Sequence, residues 1–245
     1  MIGFFRRIRK KLADDNKPMK YMRYAIGEIV LVMVGILLAL QVNNWNVSRL
    51  DRITELKHLK SIANEIEQNL KRNQSLINSR LQRKIDALKL AKNFCENEII
   101  VKDTLNFLTE VTYGGVFSGG HQFGERSAYD ELINTGNLQL IRKDSIKNAI
   151  ASYYSYLNAT SERATIHASR FSSYTSELRP FNTKNSNYIS KFDQVEMMGS
   201  FKSSEFRRMV DLELSYAYKI RDYMKNVKSN GMQTINLIKE ELQDK

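Results

Sequence analysis

From Tyr24 to Val42 the chain reads YAIGEIVLVMVGILLALQV, apolar except for Glu28 and Gln41. Ile29 to Leu40 is apolar on every face of a helix and holds one glycine, so it has no wet side. About 20 helical residues cross the ~30 Å hydrocarbon core of a bilayer, and the run predicts a transmembrane helix over 24–43. Past the polar Asn43-Asn44-Trp45-Asn46 the pattern changes. Apolar residues recur at Leu56, Leu59, Ala63, Ile66, Leu70, Ile77, Leu81, Ile85, Leu88 and Ala91, mostly three or four apart, the stripe of an amphipathic helix. Asn73 stands where an apolar residue is due. No Gly or Pro lies between Val47 and Cys95, so one helix can continue from the span.

Shorter elements follow. Asp103 to Val111 reads as a short amphipathic helix. Tyr113 to Gly124 is the one glycine-rich stretch; it lacks a Gly-Lys-Ser/Thr and a preceding strand, so it reads as a helix-to-helix loop rather than a phosphate cradle. Its aromatic residues could make it a contact surface. Arg126 to Asn134 predicts a short helix with Gly136 as its C′ residue, and Asp144 is placed to cap the next helix. That helix has the stripe Ile150, Tyr153, Leu157, Ser161, Ala164, Ala168, Phe171 and Leu178 and is expected to run until Pro180 stops it. Residues 181–200 read as irregular. A last helix, about Ser203 to Leu242, carries Phe206, Val210, Ala217, Ile220, Met224, Val227, Leu237 and Ile238 on one face. The expected fold is all-α: one N-terminal transmembrane helix, then an extracytoplasmic antiparallel bundle of long helices over 44–245.

Composition agrees with helices, since Gly (11) and Pro (2) are scarce among 245 residues. One cysteine, Cys95, forms no internal disulfide and reads as a small buried hydrophobe. The net charge of +11 could point to nucleic acid, but its distribution argues for a membrane. Residues 1–23 hold eight basic and two acidic side chains; the other 222 hold 30 and 25. The basic segment, with Arg6, Arg7, Lys10 and Lys11 beside Phe4 and Phe5, predicts a short amphipathic helix on the inner membrane face. Four basic residues, Arg49, Arg52, Lys57 and Lys60, follow the span within 20 residues, so the positive-inside rule puts the N-terminus in the cytoplasm. Tyr24 and Trp45 fall at aromatic-belt positions. The run ends without an A-x-A site, which favours an uncleaved anchor over a signal peptide.

Glu28 is costly inside a membrane and reads either as a partner-binding or proton-handling carboxylate or as one that snorkels near the boundary or is protonated. Glu28, Gly35 and Ala39 fall within about 40° of one another at 100° per residue. Gly35-x-x-x-Ala39 lets a second helix approach closely. This face is expected to pack against another span, a second copy or a partner protein. The lipid bilayer is the other expected partner, with no nucleic acid.

No reaction is legible. His58, His121 and His167 stand far apart, and no H-E-x-x-H or C-x-x-C occurs. Glu65 with Glu67, and Glu240 with Glu241, read as exposed helix charges; Tyr153, Tyr154, Tyr156 and Phe171 read as core. No catalytic, cofactor-binding or metal-binding set is assigned, and the expectation is a non-enzyme without cofactor.

GEIVLVMVGILLALQVNNWN, preceded by FFRRIRKKL, resembles the N-terminus of single-span Bacteroidota proteins grouped as domain of unknown function DUF6090. AYDELINTGNLQLIRKDSIKNAIASYY resembles that family's second recurrent block. The resemblance implies an inner-membrane anchor with a helical periplasmic domain, and carries over no catalytic residues. The expected function is a non-catalytic interaction or scaffold subunit; the alternative is a ligand sensor that relays through its span.

Overall fold

A computed structural model describes Arg7 and residues 18–118, 122–178 and 188–243; of residues 18–21, 23 and 24 it describes the backbone alone. Among these residues every regular element is helical. Helix α1 spans Pro18–Leu76 and α2 spans Gln82–Cys95, joined by a π-helical turn, Ile77–Leu81. The apolar spacing explains the turn. Asn73, Ile77, Leu81 and Ile85 recur every four residues, which drifts off one face of an α-helix. Wider i→i+5 winding holds Leu81 and Ile85 in the core. Asn43–Asn46 are helical as well, so α1 continues through the polar segment.

The chain divides into two compact units, Met1–Glu55 and Leu56–Lys245. In the first, every side chain from Ile29 to Leu40 is exposed. By length and composition this is the one described helix able to cross a membrane. Arg7 and Trp45 are exposed, Glu28 is half-buried, and nothing lies within 4 Å of a Cβ built at Gly35. Arg6, Lys10, Lys11 and the Tyr24 side chain lie outside the described residues.

The second unit is organised by its last helix. We label α3 Thr104–Thr112, α4 Ser127–Asn134, α5 Asp144–Ile166, α6 Arg170–Leu178, α7 Lys191–Ser200 and α8 Ser204–Gln243. Both α2 and α5 pack against α8. As α8 advances, its polar partners step back along α2 and α1: Arg207 meets Glu96 at 2.7 Å, Asp211 meets Lys92 at 2.8 Å, Lys228 meets Gln74 at 2.6 Å and Lys239 meets Glu67 at 2.7 Å. Gly231 lets α8 come close, because a Cβ there would meet Leu70, Tyr153 and Ile66 at 3.0–3.2 Å. Where α6, α7 and α8 converge, the Phe201 and Phe206 rings stack at 4.2 Å and Phe171 tilts against Phe206 at 5.6 Å. Each such buried ring contributes about 1.5–3 kcal/mol relative to an exposed one.

Several expectations are corrected. The stripe expected to run to Leu178 breaks at His167-Ala168-Ser169, because Ser169 starts a new helix by accepting the Ser172 amide at 2.9 Å. Pro180 lies outside the described residues. Lys191–Ser200, expected to be irregular, is helical; Ser190 caps it by accepting the Asp193 amide at 3.1 Å. Asp144 is the first helical residue rather than the cap, and pairs with Lys147 at 3.1 Å. Tyr156 is 47% exposed, while Tyr153, Tyr154 and Phe171 are core. Glu241 is buried and meets Lys143 at 2.6 Å. Glu65 is half-buried and bonded to two other helices. Gly136 holds a left-handed φ of 71° just past α4, as its C′ role requires.

Candidate functional site: a buried ion pair beneath a cleft

Among the described residues, Lys84 on α2 and Glu213 on α8 are the most enclosed ion pair of the second unit, 0% and 2% exposed, with Nζ and Oε1 2.5 Å apart. Periodicity places both. Glu213 falls between Val210 and Ala217 on the buried face of α8, and Lys84 falls beside Ile85 between Leu81 and Leu88. Burying a charge demands partners for every donor and acceptor, and they are present. The three ammonium hydrogens of Lys84 reach Glu213, the Val116 carbonyl at 2.8 Å and the Ser118 hydroxyl at 2.8 Å. Ser118 donates onward to Glu213 Oε1 at 2.6 Å. Ser169 donates to Oε2 at 2.6 Å, and His167 Nε2 lies 3.1 Å from the same oxygen. Because an ionised carboxylate only accepts, His167 carries its proton on Nε2. The carboxylate thus has four partners.

Burial favours the neutral form of each charge. It pushes the Lys84 ammonium below the usual lysine range, with Glu213 opposing the shift. Burial would raise Glu213, but the Lys84 charge and the hydrogen bonds from Lys84, Ser118 and Ser169 outweigh it and hold the carboxyl below its usual 4.5. The His167 ring stacks on Tyr216, 3.5 Å between centroids and 7° between planes. Burial and the Glu213 charge push the Tyr216 hydroxyl up to about 12, so it stays protonated.

The contacts of this cluster tie separate segments together. Lys84 is sealed and uses every hydrogen. The Ser118 and Ser169 hydroxyls both donate to the Glu213 carboxylate, and neither is bonded to His167. The tie joins α2, the 116–118 loop, the 167–169 linker and α8. Outside it lies a cleft of about 320 Å³ whose lining includes Phe171, Met209, Leu212, Lys219 and Arg170, with His167 and Glu213 at its inner end.

The residues expected to be functional lie elsewhere. Glu28, Gly35 and Ala39 share the exposed part of α1, and the structure brings no described side chain within 4 Å of a Cβ at Gly35. His58 is buried, with Nε2 3.0 Å from the Asn137 amide nitrogen. His121 lies outside the described residues. The half-buried Cys95 thiol donates to the Phe201 carbonyl at 3.2 Å, and burial pushes its pKa up. Among the described residues no group of three His, Cys, Asp or Glu side chains is placed to hold a metal ion. Sequence reasoning missed Lys84 and Glu213, although each interrupts an apolar face and could have been found there.

No family model, curated protein or solved structure matches this chain.

Proposed function

We propose that this chain is a single-span membrane protein that holds a helical bundle in the periplasm and works by binding another protein. The observation that carries the reading is the apolar surface of α1: twelve consecutive residues, Ile29–Leu40, are exposed, while the second unit encloses its own core. A helix that is apolar all round needs lipid or a partner helix to cover it. The basic segment before the span argues for a cytoplasmic N-terminus. The backward-stepping partners of α8 support the antiparallel bundle. Membership in the DUF6090 family and inner-membrane location belong to the same proposal and rest on the two quoted motifs.

Native-membrane solubilisation, affinity capture and mass spectrometry test this reading. A specific co-purifying protein or a second copy is expected. Recovery of the chain alone as a monomer would overturn it. Single cysteines at Gly35, Ala39 and Leu37, in a chain with Cys95 replaced by Ser, refine the test: crosslinking at Gly35 and Ala39 but not Leu37 is expected if the small-residue face is the contact. A second reading, ligand sensing, is favoured by the cleft, because it sits on a tie between four segments and occupancy there could shift them together.

A further inference from the structure

We propose that the cleft between α6 and α8 binds a small organic anion, a carboxylate attached to a flat apolar body. The cleft measures about 320 Å³, at the lower end of the size of ligand pockets. Its inner carboxylate, Glu213, already has four partners in Lys84, Ser118, Ser169 and His167. A metal ion or an ammonium group would have to displace them to bind there. Lys84 also neutralises Glu213, so this carboxylate repels an incoming anion weakly.

Besides the Ser215 and Tyr216 hydroxyls, which can donate or accept, the charged side chains left to a ligand are cationic. Lys219 is exposed on the rim. Arg170 also lines the cleft, held by Glu205 at 2.9 Å. Arg170 and Phe171, the first residues of α6, line the cleft; Ser169 already caps the Ser172 amide, and the helix dipole favours negative charge at this end. Phe171 and Met209, both nearly fully buried, line the cleft with Leu212 and the Tyr216 ring. Cationic rim, helix N-terminus and apolar wall together fit an anion with an apolar body.

This inference extends the sensing reading but stands apart from partner binding. An empty cleft would leave the captured complex intact, and a monomeric protein could still bind the anion.

The test uses the full chain in lipid nanodiscs, titrated calorimetrically with benzoate and with its uncharged counterpart benzamide. Saturable one-to-one benzoate binding is expected, with benzamide at least about tenfold weaker. Lys219→Ala removes the rim charge, and Leu212→Trp fills the cleft from an exposed position. Each is expected to weaken benzoate about tenfold, the equivalent of one charge-assisted contact. Glu205→Gln releases Arg170 and is expected to tighten it. Absence of saturable benzoate binding overturns the proposal. So does equal affinity for benzamide, or benzoate affinity unchanged in both Lys219→Ala and Leu212→Trp.

Discussion

Asn73 is buried in the second unit, and neither polar atom of its amide has a hydrogen-bond partner among the described residues. A buried polar group left in that state costs about 1–3 kcal/mol. Leu has the same branched arrangement of four side-chain heavy atoms and matches the apolar stripe on either side. Asn73→Leu is therefore expected to stabilise the fold by about 1–2 kcal/mol, read as a higher urea midpoint with an unchanged slope. Gly136 presents the reverse case. It has open space around a Cβ but a φ of 71°, so Gly136→Ala meets backbone strain and no clash. A loss of about 1 kcal/mol is expected, visible as a lower midpoint in the same urea titration. Asn73 was legible in the sequence as a break in the stripe, since period alone shows that an apolar residue is due there. That its amide would find no partner was not legible, because helical period shows which positions are buried and not which groups meet them there.

At the scale of elements, helix termini separate what local sequence decides from what tertiary contact decides. Helix α3 is capped locally: Asp103 accepts the Asn106 amide at 3.0 Å. Helix α4 has no side-chain cap of its own. Glu65, from α1, accepts the Ala128 amide at 2.7 Å and the Tyr154 hydroxyl at 2.5 Å. Its neighbour Asn69 meets both backbone groups of Glu125, at 2.7 and 2.9 Å. One turn of α1 thus fixes the entry to α4 and bonds α5. In the sequence Glu65 looks like an exposed helix charge, because its partners lie 63 and 89 residues away. Glu65→Ala removes the cap and strands a buried tyrosine hydroxyl. A loss of about 2–4 kcal/mol is expected, whereas Glu67→Ala, which loses an exposed pair with Lys239, should cost under about 1 kcal/mol. Equal effects of the two in equilibrium unfolding would contradict the capping role. The long helices were legible for the opposite reason: their periodicity is a local property. The break at 167–169 was not, because the stripe runs on through Ala168 and Phe171 while Ser169 redirects the backbone.

At the scale of the whole second unit, the Lys84–Glu213 pair joins segments that local patterns leave separate. Its worth is a difference between large opposing terms. Desolvating both charges is expensive, and their attraction with the surrounding hydrogen bonds offsets that cost. Removing Lys84 alone leaves a carboxylate buried without its counter-charge, so Lys84→Met is expected to lose about 3–5 kcal/mol at neutral pH. The pH dependence then identifies the cause. In the native chain the Glu213 pKa is depressed, so its contribution is present above the usual 4.5 and is lost as pH falls through the lower folded value. In Lys84→Met, burial acts without the ammonium and the folded pKa should rise above the unfolded one. Its penalty is then full at neutral pH and is relieved as protons bind on acidification. The stability gap between the native chain and Lys84→Met should therefore narrow as pH falls from 7 toward 4, even though both proteins weaken for other reasons. Urea unfolding of the intact chain in mild detergent across that range measures the gap directly. Combining Lys84→Met with Glu213→Leu removes both charges, and should recover part of the loss and flatten this pH term. A gap that stays constant from pH 7 to 4, or a double variant no more stable than Lys84→Met, would mean that the loss comes from packing around the lysine stem and not from the stranded charge.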